Sequence, residues 1–201
     1  MRPQPARKHD ADASRAAILA AAEALFVDRG FSAVSLSEIA ERSGVTKSLI
    51  HHHFGAKEAL WAEVKRRRFT SYHAQQMALY GRGVLSVATL QASMAAYFRF
   101  LLANPPIVRM IAWMRLEGDH DCADLVVELR TKGLEQIGLA QQGGIIRDDV
   151  PAAHVLMVFL ALVHAYFEEG QFVAVDRPIE QDAYLATAWK VFASSMLVSP
   201  S

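Results

Sequence analysis

The sequence predicts an all-α protein made of a small N-terminal helix-turn-helix domain and a larger helical domain. Apolar residues recur at helical spacing along most of the 201-residue chain, and no segment shows the alternation typical of a β-strand. Glycine, proline and asparagine interrupt these patterns where helices would end. The stretch 35–60 holds two short helical patterns separated by a tight turn and followed at once by a third.

The first helix is predicted over residues 14–28. Ile18, Ala22 and Phe26 share one apolar face, and Gly30 is placed to end the helix. Residues 1–13 hold two prolines and no apolar periodicity. We therefore expect a flexible basic N-terminal arm there.

Residues 35–60 form the most informative segment. Ser35 and Glu38 have the spacing of a capping box, and Ala40 is small enough for a second helix to cross closely over it. Gly44 is placed to end the first helix, and Thr46 can cap the next one. The positions left for the outer face of this second helix are Lys47, Ser48, Leu49, His51 and His52. A short helix with a polar, basic outer face suits the DNA major groove.

The larger domain is assigned to residues 61–201. Its helices are delimited by Gly81 and Gly83, by Asn104-Pro105-Pro106, by Gly143-Gly144 and by Pro178. The chain after the helix-turn-helix is thus predicted to form helices at about 56–80, 85–103, 107–117, 123–142, 151–169 and 180–197.

The formal net charge is zero, but the charge is unevenly placed. Residues 1–68 carry 12 basic and 8 acidic residues, a balance of +4, and the remainder carries −4. A basic N-terminal part, called the head (residues 1–68), joined to an acidic remainder is expected if only the head contacts DNA phosphates.

Several features favour a cytoplasmic location. Cys122 is the only cysteine, so no intrachain disulfide can form. No apolar run follows the basic N-terminus, so a secretory signal is not expected. The longest apolar run, Val155–Phe167, is interrupted by His164 and looks too short to span a bilayer.

Over residues 14–60 the chain resembles the TetR/AcrR family of bacterial transcriptional regulators. The matching segment is SRAAILAAAEALFVDRGFSAVSLSEIAERSGVTKSLIHHHFGAKEAL, with Gly30-Phe31, Gly44-Val45 and His53-Phe54 among the typical family positions. Residues 144–151 look like the family's lead-in to its dimerisation helix. The resemblance implies a homodimer that binds double-stranded operator DNA and releases it when a small-molecule effector enters the larger domain.

The resemblance also implies which residues meet DNA. The recognition helix would be Thr46–His52, with Lys47 and its neighbours in the groove. Ser35 and Lys57 would hold phosphates at the starts of their helices. His51 stands where the family often has a phosphate-contacting tyrosine, and its charge depends on pH. The full set of expected DNA contacts is Ser35, Thr46, Lys47, Ser48, Leu49, His51, His52 and Lys57, and Arg2, Arg7 and Lys8 of the arm are candidates for an adjacent minor groove.

Two sets of residues are expected in the larger domain. The last two helices would pair with those of a second copy through Leu156, Phe159, Leu160, Val163, Leu185, Ala188, Trp189 and Phe192. Large aromatic and flexible side chains are typical both of a core and of a pocket lining. Those expected to line a pocket for a hydrophobic or aromatic effector are Met94, Tyr97, Phe98, Met110, Trp113, Met114, Phe159 and His164.

Two other functions stay open at this point. The same head would serve a constitutive or partner-controlled DNA-binding regulator without an effector. An enzyme is disfavoured, because no nucleophile–base pair, phosphate loop or complete metal set is present and no cofactor is implied. His164, Glu168 and Glu169 are the best acid–base candidates, although a structural His164–Glu168 pair explains the same spacing.

Four further features have a structural interpretation beside a functional one. His51-His52-His53 point about 100° apart on a helix, so they cannot share one metal ion. We expect His51 and His52 to face outward and His53 to pack beside Phe54. Glu117-Gly-Asp-His120 has di-iron spacing, but a solvated acidic loop is the preferred interpretation. Cys122 is interpreted as an inert thiol, with oxidant sensing as the alternative, and the run 65–68 as a mostly solvated basic face, with DNA attraction as the alternative.

Overall fold

A computed structural model describes residues 6–81, 83, 85–119, 124–173 and 178–198, without the side chains of residues 6–9, 171 and 172. Within these ranges the chain forms helices and, between Ile146 and Leu197, a single isolated β-bridge. The predicted all-α fold is confirmed. Arg2, Cys122 and His120 lie outside the described residues.

The helices of the described chain follow the predicted order. They are α1 (Ala6–Arg29), α2 (Leu36–Ser43), α3 (Lys47–Phe54), α4 (Lys57–Tyr80), α5 (Val87–Ala103), α6 (Pro105–Leu116), α7 (Asp124–Gln142), α8 (Ala152–Val173) and α9 (Gln181–Met196). The main difference is at the N-terminus, where α1 begins at Ala6 rather than Ser14, so most of the expected flexible arm is helical. Alanine, arginine and lysine are good helix formers, which lets the helix extend beyond its apolar face.

The chain divides into two compact units, and the division is not at residue 60. The first unit comprises Met1–Phe69 and Pro105–Asp124, and the second comprises Thr70–Asn104 and Leu125–Ser201. Helix α6, which the sequence assigned to the larger domain, therefore belongs with the helix-turn-helix. Helix α4 runs from the first unit into the second.

The core of the first unit joins α1 to the helix-turn-helix and to the start of α4. Phe26 is fully buried and its ring meets Trp61 edge-on, with 5.0 Å between the ring centroids. Ile39 of α2 and Ile50 of α3 are buried as well. The apolar face of each short helix is thus covered, which leaves the opposite face of α3 for solvent.

The second unit has an aromatic core between α5, α8 and α9. Phe98 is buried and contacts Tyr166 and Phe167 of α8 and Tyr184 of α9. Nearer the other end of α8, Phe159 meets Phe192 edge-on at 5.7 Å. These contacts hold α8 and α9 side by side through one face of each helix.

One described segment, Ala152–Gly170 in α8, has the length and apolar composition of a membrane-spanning helix. The expectation that this region is too short to span a bilayer is therefore wrong on length, because the apolar helix extends beyond the uninterrupted run Val155–Phe167. Only 22% of the segment is buried within the protomer. Length and composition do not separate a membrane helix from one that is covered by another protein chain.

Candidate DNA-binding site

The start of α2 is fixed by a capping box. The Ser35 hydroxyl accepts a hydrogen bond from the Glu38 amide at 3.2 Å, and the Glu38 carboxylate accepts one from the Ser35 amide at 2.8 Å. Arg29 adds an ion pair to Glu38 at 2.8 Å. The hydrogen bond from the Ser35 amide is the largest cause that lowers the pKa of Glu38 to about 2. Glu38 is therefore ionised, and the cap intact, at any pH at which the protein would meet DNA.

The turn between α2 and α3 depends on one backbone conformation. Gly44 has φ of 70°, in the left-handed region, and nothing lies within 4 Å of where its Cβ would be. Glycine is therefore favoured here for its backbone and not for space. Two residues on, the Thr46 side chain accepts a hydrogen bond from the Leu49 amide at 3.2 Å and caps α3.

Helix α3 presents the predicted face to solvent. Thr46, Lys47, Ser48, His51 and His52 are exposed, and Leu49 is half-buried. The predicted split of the three histidines is confirmed, because His53 is half-buried and its ring centroid lies 6.1 Å from that of Phe54.

His51 is held by its own helix end. Its Nδ1 lies 2.6 Å from the carbonyl oxygen of Gly55, and a carbonyl can only accept, so Nδ1 carries the proton in this bond. The remaining nitrogen, Nε2, could then donate to a phosphate only when the ring gains a second proton. A phosphate contact from His51 would thus differ from that of a tyrosine, which donates throughout the neutral range.

Lys57 has a structural role that the sequence did not indicate. Its ammonium donates to the carbonyl oxygens of Phe31 and Val34, both at 2.9 Å, and lies 4.1 Å above the Phe31 ring. These bonds tie the start of α4 to the α1–α2 loop. A phosphate contact through this side chain would have to use its remaining N–H, so the expected contact at Lys57 stays a prediction.

Helix α6 and the residues after it support the helix-turn-helix through an unexpected set of polar contacts. The Glu117 carboxylate accepts hydrogen bonds from the amides of Phe31 at 3.1 Å and Ser32 at 2.8 Å. Trp113 Nε1 donates to the Val27 carbonyl at 3.2 Å. The preferred interpretation of residues 117–120 as a solvated acidic loop is wrong for Glu117 and for Asp119, whose carboxylate binds Trp61 and Lys65. No local pattern could have indicated this, because the partners are more than 80 residues apart in sequence.

Gly30 shows how closely α6 approaches this loop. Its φ is 79°, and a Cβ there would lie 2.8 Å from Glu117 Oε1 and 2.9 Å from a ring carbon of Trp113. The glycine that ends α1 is thus also required for close approach.

We expect Glu117→Ala to destabilise the protein by about 2 kcal/mol, because two amide donors lose a charged acceptor. Urea unfolding of the purified protein would measure this as a lower midpoint with an unchanged slope. Glu135→Ala is the matched control, since Glu135 is half-exposed and, among the described residues, pairs with Lys132 on the surface. An unchanged midpoint in the Glu117 variant would contradict the support role.

The interpretation of the basic run 65–68 as a mostly solvated face holds for Arg66 and Arg67 but is wrong for Lys65 and, in part, for Arg68. Lys65 is 2% exposed and its ammonium lies 3.0 Å from Asp119 Oδ2, which also accepts a hydrogen bond from Trp61 at 2.7 Å. Arg66 pairs with Glu63, and Arg68 pairs with Glu23 of α1. Lys65 and Arg68 therefore connect α4 to other parts of the first unit, whereas Arg66 and Arg67 are exposed.

The expected effector pocket is not brought together as one set. Three of its residues lie in the first unit: Met110 and Met114, which are buried, and Trp113. The other five are buried in the second unit: Met94, Tyr97, Phe98, Phe159 and His164. The cavity that Phe159 lines encloses only about 30 Å³. The sequence pattern identified buried side chains but did not separate core from lining.

Half of the residues predicted for the dimer interface are buried in the protomer itself. Phe159, Val163, Ala188 and Phe192 are buried inside the protomer, so they belong to its own core. Leu156, Leu160, Leu185 and Trp189 are half-buried. Other large apolar side chains are exposed instead. On α8, away from its C-terminal end, Met157 is 63% exposed, and on α9 Val191 is 45% exposed.

The predicted His164–Glu168 pair is present, with 3.4 Å between His164 Nδ1 and Glu168 Oε1. His164 is buried, and its Nε2 lies 2.7 Å from the hydroxyl of Tyr97. The contact between His164 and Tyr97 therefore links α8 to α5, whereas the His164–Glu168 pair lies within α8. In the described part of the chain no three metal-ligating side chains gather at one point.

An exposed recognition helix on a capped and buried support defines a helix-turn-helix DNA-binding protein. Sequence comparison adds the family. The profile described as "Bacterial regulatory proteins, tetR family" matches residues 18–64, and that described as "Tetracyclin repressor-like, C-terminal domain" matches residues 89–191. The chain belongs to the TetR family and is a transcriptional regulator, not an enzyme.

Relatives with known roles regulate transcription in both directions. The HTH-type transcriptional activator FasR of Mycolicibacterium smegmatis is 30% identical over 86% of this chain and 78% of FasR. The HTH-type transcriptional repressor NicS of Pseudomonas putida is 25% identical over 94% of this chain and 93% of NicS. A TetR family transcription regulator from Marinobacter aquaeolei, 17% identical, has the same fold with a TM-score of 0.74 over 96% of this chain and 100% of that one.

Proposed function

We propose that this protein is a cytoplasmic homodimeric repressor that binds operator DNA and is released from it by a small organic effector. The observation that carries the proposal is the exposed face of α3 on its capped support. Lys47, Ser48 and Thr46 would meet base edges or phosphates in the major groove, and His52 would flank them. The relatives support DNA binding in general. The proposed repression corresponds to the repressor NicS, whereas FasR is an activator.

The dimer would form through the outer faces of α8 and α9. Supporting this, α8 is strongly apolar yet mostly unburied in the protomer, and it exposes Ala153, Met157 and Ala161 at intervals of four residues. This spacing places the three on one side of the helix. Paired with α9, which exposes Val191, that side would form a four-helix interface with a second copy. The half-buried Leu160 and Trp189 would lie at its edges.

Effector control is supported by space in the second unit. A groove of about 560 Å³ between α4 and α5 is within the range of sites for small organic molecules. A constitutive regulator would not require such a groove. Effector binding would weaken DNA binding by its differential affinity for the two forms of the dimer.

The test is binding of the purified protein to duplex DNA that flanks its own gene, titrated against salt in the presence of excess random DNA. Specific binding with a steep salt dependence supports the proposal. If binding equals that to random DNA, selection of bound genomic fragments is the second arm. Failure of both arms would overturn a sequence-specific regulator.

Lys47→Ala is expected to weaken binding to the selected fragment about tenfold, because an exposed cation at the start of α3 is lost from the groove. The thermal midpoint should not change, since Lys47 is exposed and its side chain makes no hydrogen bond or ion pair within the described part of the chain. Lys132→Ala removes a cation from α7 and is the matched control. Wild-type affinity in the Lys47 variant would remove this residue from the contact surface.

A further inference from the structure

The groove between α4 and α5 has a floor suited to a flat apolar molecule. The ring of Tyr72 stacks on that of Phe100, with 4.8 Å between centroids and 20° between planes. Alanines on both sides of the groove leave space above this stack: Ala78 on α4, and Ala92, Ala95 and Ala96 on α5. An aromatic or aliphatic body lying there would bury apolar surface against the two rings.

The groove is lined by one cationic side chain, Arg99. Arg99 is exposed, and in the described part of the chain no carboxylate pairs with its guanidinium. None of the residues that line the groove is acidic, and Ser71 and Gln75 add neutral hydrogen-bonding groups. By contrast, Arg147 of the same unit pairs with Asp149 on the surface. A planar guanidinium is the side chain best matched to a carboxylate or sulfonate.

We propose that this groove binds an amphipathic organic anion, with its acidic group on Arg99 and its apolar body on Tyr72 and Phe100. The proposal names the class of effector, and its regulatory part rests on the function proposed above. The groove floor is also connected to α8. Tyr72 contacts Tyr97 at 5.1 Å between ring centroids, and the Tyr97 hydroxyl lies 2.7 Å from His164 of α8. A molecule that displaces Tyr72 would therefore act on a helix of the expected dimer face.

The test uses two fluorescent probes with closely similar aromatic bodies, anilinonaphthalene sulfonate, which is anionic, and N-phenylnaphthylamine, which is neutral. Each is titrated into the full-length protein and into three variants whose thermal midpoints are checked. Arg99→Gln removes the charge, Ala92→Trp fills the exposed side of the groove, and Arg130→Gln removes an exposed arginine of α7 as the matched control.

The expected result is saturable binding of the anionic probe at one site per protomer, weakened about tenfold or more in Arg99→Gln and unchanged in Arg130→Gln. The neutral probe should bind wild type and Arg99→Gln within twofold of each other, and Ala92→Trp should weaken both probes. Equal affinity of the anionic probe for wild type and Arg99→Gln, or no loss in Ala92→Trp, would overturn the site.

The regulatory part is tested separately by DNA titration of the same protein with and without saturating anionic probe. A shift in DNA affinity that disappears in Arg99→Gln supports an effector site. Binding of the probe with no such shift overturns the effector role while the groove site stands. Because DNA binding is measured without probe as well, failure of the groove site does not count against the DNA-binding function.

Discussion

Asp119→Ala is expected to cost about 3–5 kcal/mol of stability, because it removes the carboxylate that pairs with a buried ammonium. Lys65 is 2% exposed, so water does little to solvate its ammonium. The same carboxylate accepts the hydrogen bond from Trp61, whose ring packs against Phe26. The substitution thus acts on the centre of the unit that carries the helix-turn-helix.

Denaturant unfolding would measure this loss, and DNA titration at a temperature where the variant is folded would separate it from a loss of contacts. Lys65→Met should cost much less, because it removes the buried charge itself and keeps the apolar stem. Asp149→Ala is the matched control, since Asp149 pairs with Arg147 on the surface. A cost below about 1 kcal/mol for Asp119→Ala would show that the pair is not an important stabilising contact.

The helix-turn-helix could be predicted from sequence because its determinants are local. The Ser35–Glu38 box, the left-handed Gly44 and the Thr46 cap each act within a few residues, and each is present in the structure. The support from Glu117 could not be predicted, because a carboxylate that binds amides distant in sequence leaves no local pattern. For the same reason, the sequence did not place α6 in the first unit.

The dimer face shows a different limit. The segment from Val155 to Leu160 is apolar at every position, so periodicity could not say which stripe of α8 faces its own core. The prediction selected the stripe with Phe159 and Val163, and the structure buries that stripe inside the protomer. The packing of α8 against α5 and α9 determines which of its residues are buried in the protomer, and Met157 is not among them.

Replacing both Met157 and Val191 with glutamate is expected to abolish the proposed dimer and to weaken operator binding by about a hundredfold or more. Their side chains are 63% and 45% exposed in the protomer, so charges are tolerated there unless a second copy covers them. In a dimer the four carboxylates would be desolvated together, and either keeping them charged or protonating them at neutral pH would cost free energy that opposes pairing. Each released head would then bind its half-site alone, without the high effective concentration that pairing provides.

Sedimentation at micromolar concentration would detect the monomer, and DNA titration would measure the lost avidity. An unchanged thermal midpoint at low protein concentration would show that the protomer core is intact. Val127→Glu places the same charge on an exposed apolar position of α7, at 41% exposure, and should change neither property. If the double variant stayed dimeric, the pairing surface would have to lie elsewhere, and α8 would need another cover. If it became monomeric yet kept its DNA affinity, the two heads would not act together on a palindromic operator, which would contradict the proposed mode of binding.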